Sequence, residues 1–372
     1  MSPLSVTRRT GTALVASVLA VALVAGGDPA HAVPASSPAG HGATWLAHQL
    51  DRQGLIHNPN FGGFDDYGLT IDTVFGMKAI GGHRSDVAKA RRALSKHVPN
   101  YTTGVDFGST AVFAGAVAKL LVLAQSTGGG GRHFGHTNLV RRLNHRVITS
   151  GPSTGRIQDV EDPANSIADS ANVIGQIFAA RGLLKAGSPQ GATALKFLLK
   201  QQCGTGFFRL TFNTDKSARD QGCGTGDHPD TDVTALAVVE LAPVAQGHGK
   251  LNRALRDATR WLKRHQHANG SLGGAGPTSR ANANSTGLAG WAFLTEGTCG
   301  AARHAAGWLA ELQVTGHLSG TPLAGERGAI AYDHAALRLA KKDGIDRTSR
   351  DQWRRAGSQA APALLALTRC RS

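Results

Sequence analysis

Two short stretches bring carboxylates close enough to share chemistry. Asp65-Asp66-Tyr67, with Asp72 shortly after, sets a carboxylate pair beside a phenol. Such a pair suits acid–base cleavage of a glycosidic bond, which by inversion needs two carboxyls roughly 6.5–9.5 Å apart across a groove. The plainer reading is a polar turn that caps a helix. The second stretch is Asp230-Thr231-Asp232, followed by Val233-Thr234-Ala235-Leu236. Here an aspartate stands just where an apolar helix begins, a position that caps helix N-termini by accepting from free backbone N–H groups.

Other chemistries are excluded by spacing. Sixteen histidines invite a metal, but most lie singly in basic stretches such as Lys96-His97, Arg132-His133 and Arg264-His265. His265 and His267 are two apart and point to different sides of a helix, and no His-x-x-x-His pair sits beside a carboxylate. The four cysteines lack a second Cys or His at zinc spacing, and Gly128-Gly129-Gly130-Gly131 lacks the Gly-Lys-Ser/Thr ending of a phosphate loop. No Gly-x-Ser-x-Gly elbow is present, and neither Cys203-Gly204-Thr205-Gly206 nor Cys223-Gly224-Thr225-Gly226 matches a Cys-Gly-Glu-Gln thioester. No cofactor or metal is therefore expected.

The elements that must position these residues recur. Around residues 258–294, Trp261 and Leu262 lie in one segment of helical spacing, and Trp291, Phe293 and Leu294 in another. A glycine-rich turn at residues 269–276 divides them, and Asn284-Ser285-Thr286 cap the second. Similar units begin near Ala43, Val87, Leu139, Ala194 and Ala306, with second helices expected from Asp72, Ser109, Asp169, Asp232 and Asp333. Six copies at a period of about fifty residues give roughly twelve helices. An open solenoid would need polar terminal copies, whereas the first and last are as apolar as the rest. A closed ring, an all-α α6/α6 toroid with inner parallel helices, removes that need. One toroid domain is expected over residues 43–372, after a short flexible segment at 33–42.

Residues 1–32 read as a secretory leader: basic Arg8-Arg9, an apolar run at residues 13–25, and Ala30-His31-Ala32 at the cleavage point. Export makes the four cysteines two disulfides. Three pairings are open; Cys203 and Cys223 bracket one loop, which favours that pair and leaves Cys299 with Cys370. Hydrophobic residues make up 41% and charged residues 17% of the chain, so a sizeable core is within reach. Removing Arg8, Arg9 and Asp28 takes the formal charge from +15 to +14. That favours acidic surroundings such as wall polymers, but the basic residues are spread out, with no dense arm specific for nucleic acid.

An aromatic followed by Leu, with Gln five residues after the aromatic and then a glycine-rich turn, occurs at Phe197/Gln202, Trp261/Gln266 and Trp308/Gln313; Trp45/Gln49 is a near copy. This resembles the repeat of terpenoid cyclases, squalene–hopene cyclases and protein prenyltransferase β-subunits, whose toroid is also that of transcobalamin-type carriers and complement-like thioester domains. The resemblance implies the fold over nearly the whole mature chain and says little of function. It also makes Asp230-Thr231-Asp232 similar to the Asp-x-Asp-Asp-Thr-Ala run that protonates an alkene, with Asp232 at the acid's place and Val233 where the family has its last Asp. Such an acid needs a dry pocket that raises its pKa. Against it, aromatic residues are only 5%, too few for a cavity that stabilises carbocations, and an N-cap role accounts for Asp72, Asp169, Asp232, Asn284 and Asp333 together.

The sequence therefore reads as a secreted, monomeric toroid that binds a small molecule, glycan or wall polymer, with no membrane span. A terpenoid-cyclase-like enzyme using Asp232 and Asp230 is the alternative, and a glycan-active enzyme the third. Parallel inner helices gather their N-termini at one end. A mouth bearing Asp72, Ser109, Asp169, Asp232, Asn284 and Asp333, with Asp65, Asp66 and Asp230 on the turns leading in, would suit hydroxyl-rich or cationic groups.

Overall fold

A computed structural model describes residues 33–60 and 63–370; the leader expected at residues 1–32 lies outside the described residues. The chain order is α1 (Pro38–His48), a two-residue β-ribbon of His57–Asn58 with Phe64–Asp65, α2 (Tyr67–Ile80), α3 (Arg84–Lys96), α4 (Val98–Thr102), α5 (Ala114–Ser126), α6 (Leu139–Asn144), α7 (Val173–Lys185), α8 (Pro189–Leu199), α9 (Thr231–Leu241), α10 (Gly249–His265), α11 (Ala283–Thr295), α12 (Cys299–Leu312), α13 (His334–Asp343), α14 (Arg350–Ala360) and α15 (Ala366–Arg369). No helix of the described residues is long and apolar enough to cross a membrane.

Six of these close a ring. Helix α2 packs on α5, α5 on α7, α7 on α9, α9 on α11, α11 on α14, and α14 returns to α2. Helices α1, α3, α6, α8, α10 and α12 pack against this inner set. The fold is thus an all-α, α6/α6 toroid. Inner helices approach closely where both faces are small: a Cβ on Gly175 would lie 2.9 Å from the Gly115 Cα across α5 and α7. The apolar core is continuous from α1 to α15.

The recurring glutamine fastens the last three units each to the next. Gln202 Nε2 donates to Gly206 O (2.9 Å) within its own turn and to Ala254 O (2.8 Å) on α10. Gln266 does the same to Gly270 O and to Ala301 O on α12, both at 3.0 Å. Gln313 reaches Gly328 O (3.3 Å) and Pro38 O (2.9 Å) on α1, which joins the last unit to the first. The turn glycine lies flat on the neighbouring helix: Gly328 has φ +97°, and a Cβ there would stand 2.1 Å from His41 O. Gln176, from the inner helix α7, serves the third unit by donating to Gly155 O and Ala194 O. Gln49, one place early, folds back on Trp45 O instead.

Two expectations are corrected. Residues 33–42 are not a flexible segment: Ser37 caps α1, Pro38 opens it, and Ala39 and Gly40 are buried. Their small side chains read as a linker but are needed because α1 closes the ring; a Cβ on Gly42 would meet the Ala361 Cβ at 2.8 Å. The sixth inner helix is α14, not the helix starting at Asp333. Helix α13 buries only Leu337 and Ala340 and ends in Lys341-Lys342-Asp343, so it cannot line a barrel, whereas α14 buries Trp353, Ala356, Gly357 and Ala360.

Both disulfides join the expected cysteines, Cys203 to Cys223 and Cys299 to Cys370. The first closes a loop of sequence separation 20, worth about 3 kcal/mol in the chain-entropy model. Gln313→Ala should cost about 1–3 kcal/mol, since it leaves the Gly328 carbonyl at the closing seam without a partner and removes the second bond of Pro38 O. Gly328→Ala should cost more, because it adds a clash and a strained φ. Denaturant midpoints would show both losses; unchanged midpoints would mean that the seam contributes nothing.

Candidate functional site

The ends of the inner helices define the two openings of the barrel. At the N-terminal end, Asp66 caps α2 by accepting from Leu69 N (2.8 Å), Asn172 caps α7 from Gly175 N (3.2 Å), Asp230 caps α9 from Val233 N (3.0 Å), and Asn282 caps α11 from Ser285 N (2.9 Å). Helix α5 follows Phe113, which cannot cap. Asp159 supplies the missing acceptor from a later loop, taking Ala114 N at 2.7 Å and Ser170 N at 3.0 Å.

These caps correct the sequence expectation. Asp72, Asp169, Asp232 and Asn284 do not cap helices. In Asp230-Thr231-Asp232 and Asn282-Ala283-Asn284 both outer residues are of capping type, and the earlier one takes the extended backbone while the later enters the first turn. Asp333 does cap, through Ala336 N at 2.8 Å, but it caps the outlying α13. Ser109 lies in a loop and donates to Asp162 Oδ2 (2.7 Å). Asp169 is buried against Lys216 (2.9 Å) and Arg156 (3.4 Å), three residues before the cap of its helix. Asp65 pairs with His57 in the ribbon (3.3 Å).

Freed from capping, the later residues fall on one stripe. Asp232, Leu236 and Val239 follow each other at helical spacing on α9, with Pro243 in the turn that continues it, as do Asn284, Leu288, Trp291 and Thr295 on α11. The lower members of both stripes line the hollow at the far opening, so the upper members face the lumen. Asp72 of α2 and Lys119 of α5 meet at 2.7 Å, and Arg355 of α14 reaches Asp66 Oδ2 at 2.6 Å. Burial opposes the Lys119 charge, but Asp72, with Tyr101 and Asp66 behind it, outweighs burial and raises the pKa. Beside this pair lies a hollow of about 280 Å3 whose walls include Tyr101, Phe113, Lys119, Asp159, Ile174 and Phe178.

Asp232 differs from the other carboxylates at this end. Its Oδ1 is buried and has no hydrogen-bond partner among the described residues; the same holds for Asn284 Oδ1 and Ser285 Oγ on the adjacent helix. Burial pushes the Asp232 pKa up to about 6; the Ser285 hydroxyl opposes the shift without closing a hydrogen bond, and the charge of Asp230 adds to it. A carboxylate in the first turn of a helix would ordinarily be favoured by the helix dipole, so desolvation wins here. Tyr332, whose carbonyl accepts from Ala283 N at 2.7 Å, stands in the field of Asp232 and Asp333, and its pKa is raised chiefly by burial.

The far opening is a separate hollow of about 340 Å3, walled by Phe75, Trp291 and Leu294 with Lys78, Arg181 and Arg369. Arg181 contacts Glu240, and burial lowers its pKa to about 10. Phe75 and Phe178 stack at 6.1 Å between the two hollows. Among the described residues no three His, Cys, Asp or Glu side chains converge on a metal site. Sequence reasoning missed Lys119, Arg355, Asp159 and Tyr101. Lys119 and Arg355 become findable only once the true caps fix the register, and Asp159 caps from a distant loop that no local pattern reveals.

No protein-family model matches the chain, and no curated protein matches it by sequence. Its fold is similar to that of a number of solved proteins, among them the following. A protein from Actinoplanes aligns with TM-score 0.59 and 18% identity over 89% of this chain and 99% of its own. An unsaturated glucuronyl hydrolase from Bacillus sp. GL1, responsible for the degradation of glycosaminoglycan, aligns with TM-score 0.58 and 13% identity over 90% and 96%. The type II terpene cyclase MstE from Scytonema aligns with TM-score 0.58 and 13% identity over 89% and 97%.

The unusual Asp232 gives a pH signature. Its folded pKa of about 6 lies above the ordinary aspartate value of 3.8, so between those limits the folded chain keeps a proton that the unfolded chain has released. Stability therefore falls as pH rises through that window, by up to about 3 kcal/mol at full ionisation. Asp232→Asn should melt higher than the wild type at pH 7.5 and equally at pH 4, whereas Asp230→Ala should lose about 1 kcal/mol. Parallel melting curves for Asp232→Asn and wild type across this range would refute the buried, unpaired carboxyl.

Proposed function

We propose that the N-terminal opening of the inner barrel binds a hydroxyl-rich ligand, a single sugar unit, in a protein that works outside the cell. The observation that carries this reading is the trio of buried, unpartnered atoms on α9 and α11, Asp232 Oδ1, Asn284 Oδ1 and Ser285 Oγ, at the same end of the barrel as the hollow though not among the residues that wall it. Leaving such groups unpaired costs about 1–3 kcal/mol each, and a ligand rich in hydroxyls supplies donors and acceptors for all three. Tyr101, Phe113 and Phe178 offer apolar faces to the C–H side of a sugar ring, and the Asp72–Lys119 pair offers charged hydrogen-bonding groups.

The size of the site speaks against a polyisoprene substrate. A hollow of about 280 Å3 is at the small end of ligand pockets, and Phe75 with Phe178 blocks extension along the barrel axis. A glycan-active enzyme is the second reading, favoured by the raised pKa of Asp232, which suits a proton donor near neutral pH. The expected leader and the two disulfides support an extracellular setting.

Saturation-transfer NMR with glucose, N-acetylglucosamine, mannose and galacturonate tests the site. At least one sugar should show transfer, and Asn284→Ala should weaken it about tenfold with the fold unchanged. Absence of transfer from every sugar, together with a cyclised product from a geranylgeranyl substrate, would replace this reading by the cyclase alternative. If a sugar binds, incubation with its oligosaccharides and an assay for new reducing ends separates binding from hydrolysis, and Asp232→Asn should abolish only the second.

A further inference from the structure

Between Asp106 and Asp159 the sequence contains no acidic residue, while it carries Arg132, Arg141, Arg142 and Arg146 with His133, His136 and His145. The fold gathers five of these into one concavity. Val112 and Val160 pair through their backbones, N to O at 3.2 and 2.9 Å, and form one side of a groove of about 620 Å3. Arg141, Arg142, Arg146, His136 and His145 line the rest, on and around the short helix α6. Arg142 is fixed in place by donating to Thr102 Oγ1 at 3.0 Å.

No carboxylate lines this groove, and none of its cations enters an ion pair among the described residues. Some arginines elsewhere are met by acids, as Arg350 is by Glu326 and Arg209 by Asp227; others stand singly without one, and what sets this groove apart is that three such arginines share one concavity. Like charges held in a concave surface repel one another, and concavity focuses their field outward. Such an arrangement is relieved by an anionic partner that follows the groove. Guanidinium forks match carboxylates and other planar or tetrahedral oxyanions. The lining has no aromatic ring on which a base would stack, which single-stranded nucleic acid binding uses.

The groove also abuts the N-terminal hollow. Val112 precedes Phe113, and Asp159 precedes Val160; Phe113 and Asp159 line the hollow while the two valines line the groove. One wall thus separates them. We propose that the groove binds an acidic polysaccharide chain, with carboxylates on successive sugars, alongside the hollow. The relation to the hollow rests on the sugar-binding reading above; binding in the groove does not.

Calorimetric titration of the full chain with polygalacturonate, neutral dextran and single-stranded DNA, at near-physiological salt, tests the proposal. Polygalacturonate should bind and weaken with added salt, and dextran should not bind. Arg141→Ser with Arg146→Ser should lower affinity for polygalacturonate at least tenfold. Lys341→Ser with Lys342→Ser, which removes the same charge from α13, should leave it unchanged. If Arg146→Ser impairs folding, Arg141→Glu on the exposed rim replaces the pair and should have the same effect. Equal losses in the groove and α13 variants would reduce the interaction to diffuse charge and overturn the proposal, as would tighter binding of DNA or none of polygalacturonate. Asn284→Ala should leave groove binding intact, so loss of sugar binding in the hollow and loss of polymer binding in the groove are read separately.

Discussion

Everything in this fold depends on how one helical hairpin is held to the next, and that is done by a side-chain amide and a glycine. The amide of Gln202, Gln266 or Gln313 spans two carbonyls, one in its own turn and one on the outer helix of the following unit. Each turn glycine lacks the Cβ that would strike that helix: Gly206 against Asp257, Gly270 against His304, Gly328 against His41. A buried helix carbonyl already bonded within its helix has a second lone pair to give, so the fastening costs the outer helix nothing. Repeated around the chain and carried from Gln313 to Pro38, it turns a row of hairpins into a ring with no exposed end, so neither terminal unit needs the polar outer face an open array requires.

Closure has an electrostatic consequence. Parallel inner helices direct their N-terminal partial positive charges to one opening, and the carboxylates placed there are, with one exception, already spoken for. Asp66 serves Leu69 N and Arg355, Asp72 serves Lys119, Asp159 serves α5 and Ser170, and Asp351 serves Arg355 and Asn58. The opposite opening reverses the logic, with Lys78, Arg181 and Arg369 near the C-terminal ends. Much of the charge at both ends thus answers the helix dipoles and needs no ligand to explain it.

This also shows what could be read in advance. The ring was legible because the aromatic-to-glutamine spacing at Phe197, Trp261 and Trp308 carries the fastening itself, and the cysteine pairs because Cys203 and Cys223 bracket a single turn. The cap register was not legible. In Asp230-Thr231-Asp232 either aspartate has the chemistry to cap, and only the entry of the chain from the preceding loop chooses the first. That shift in register, two residues on α9 and α11 and six on α2, turned residues inside the helices into supposed caps and hid Lys119 and Arg355. Similarly, Asp333 followed by a helix looked like the sixth inner start, and only the burial of Trp353 and its neighbours tells α14 from α13. At residues 38–42, small side chains look the same in sequence whether they serve a linker or a helix pressed against Ala361.

Correcting the register changes the meaning of Asp232. As a cap it would be one of several equivalent polar residues, its carboxylate stabilised by backbone N–H groups and its pKa low. With Asp230 in that role, Asp232 keeps one carboxyl oxygen, Oδ1, buried without a partner beside two more unpartnered polar atoms on α11. Helix formation does not require it: small or apolar residues occupy the corresponding second positions of α2, α5 and α7, namely Gly68, Gly115 and Ile174. Packing does not require it either, since a neutral isostere would fill the same space without the cost of ionisation. A buried carboxylate oxygen without a partner, where the other carboxylates at this opening among the described residues are partnered, is a local inconsistency of the kind found at functional or strained sites. The inner barrel therefore directs attention to one arc of its N-terminal opening, between α9 and α11, rather than to its whole rim.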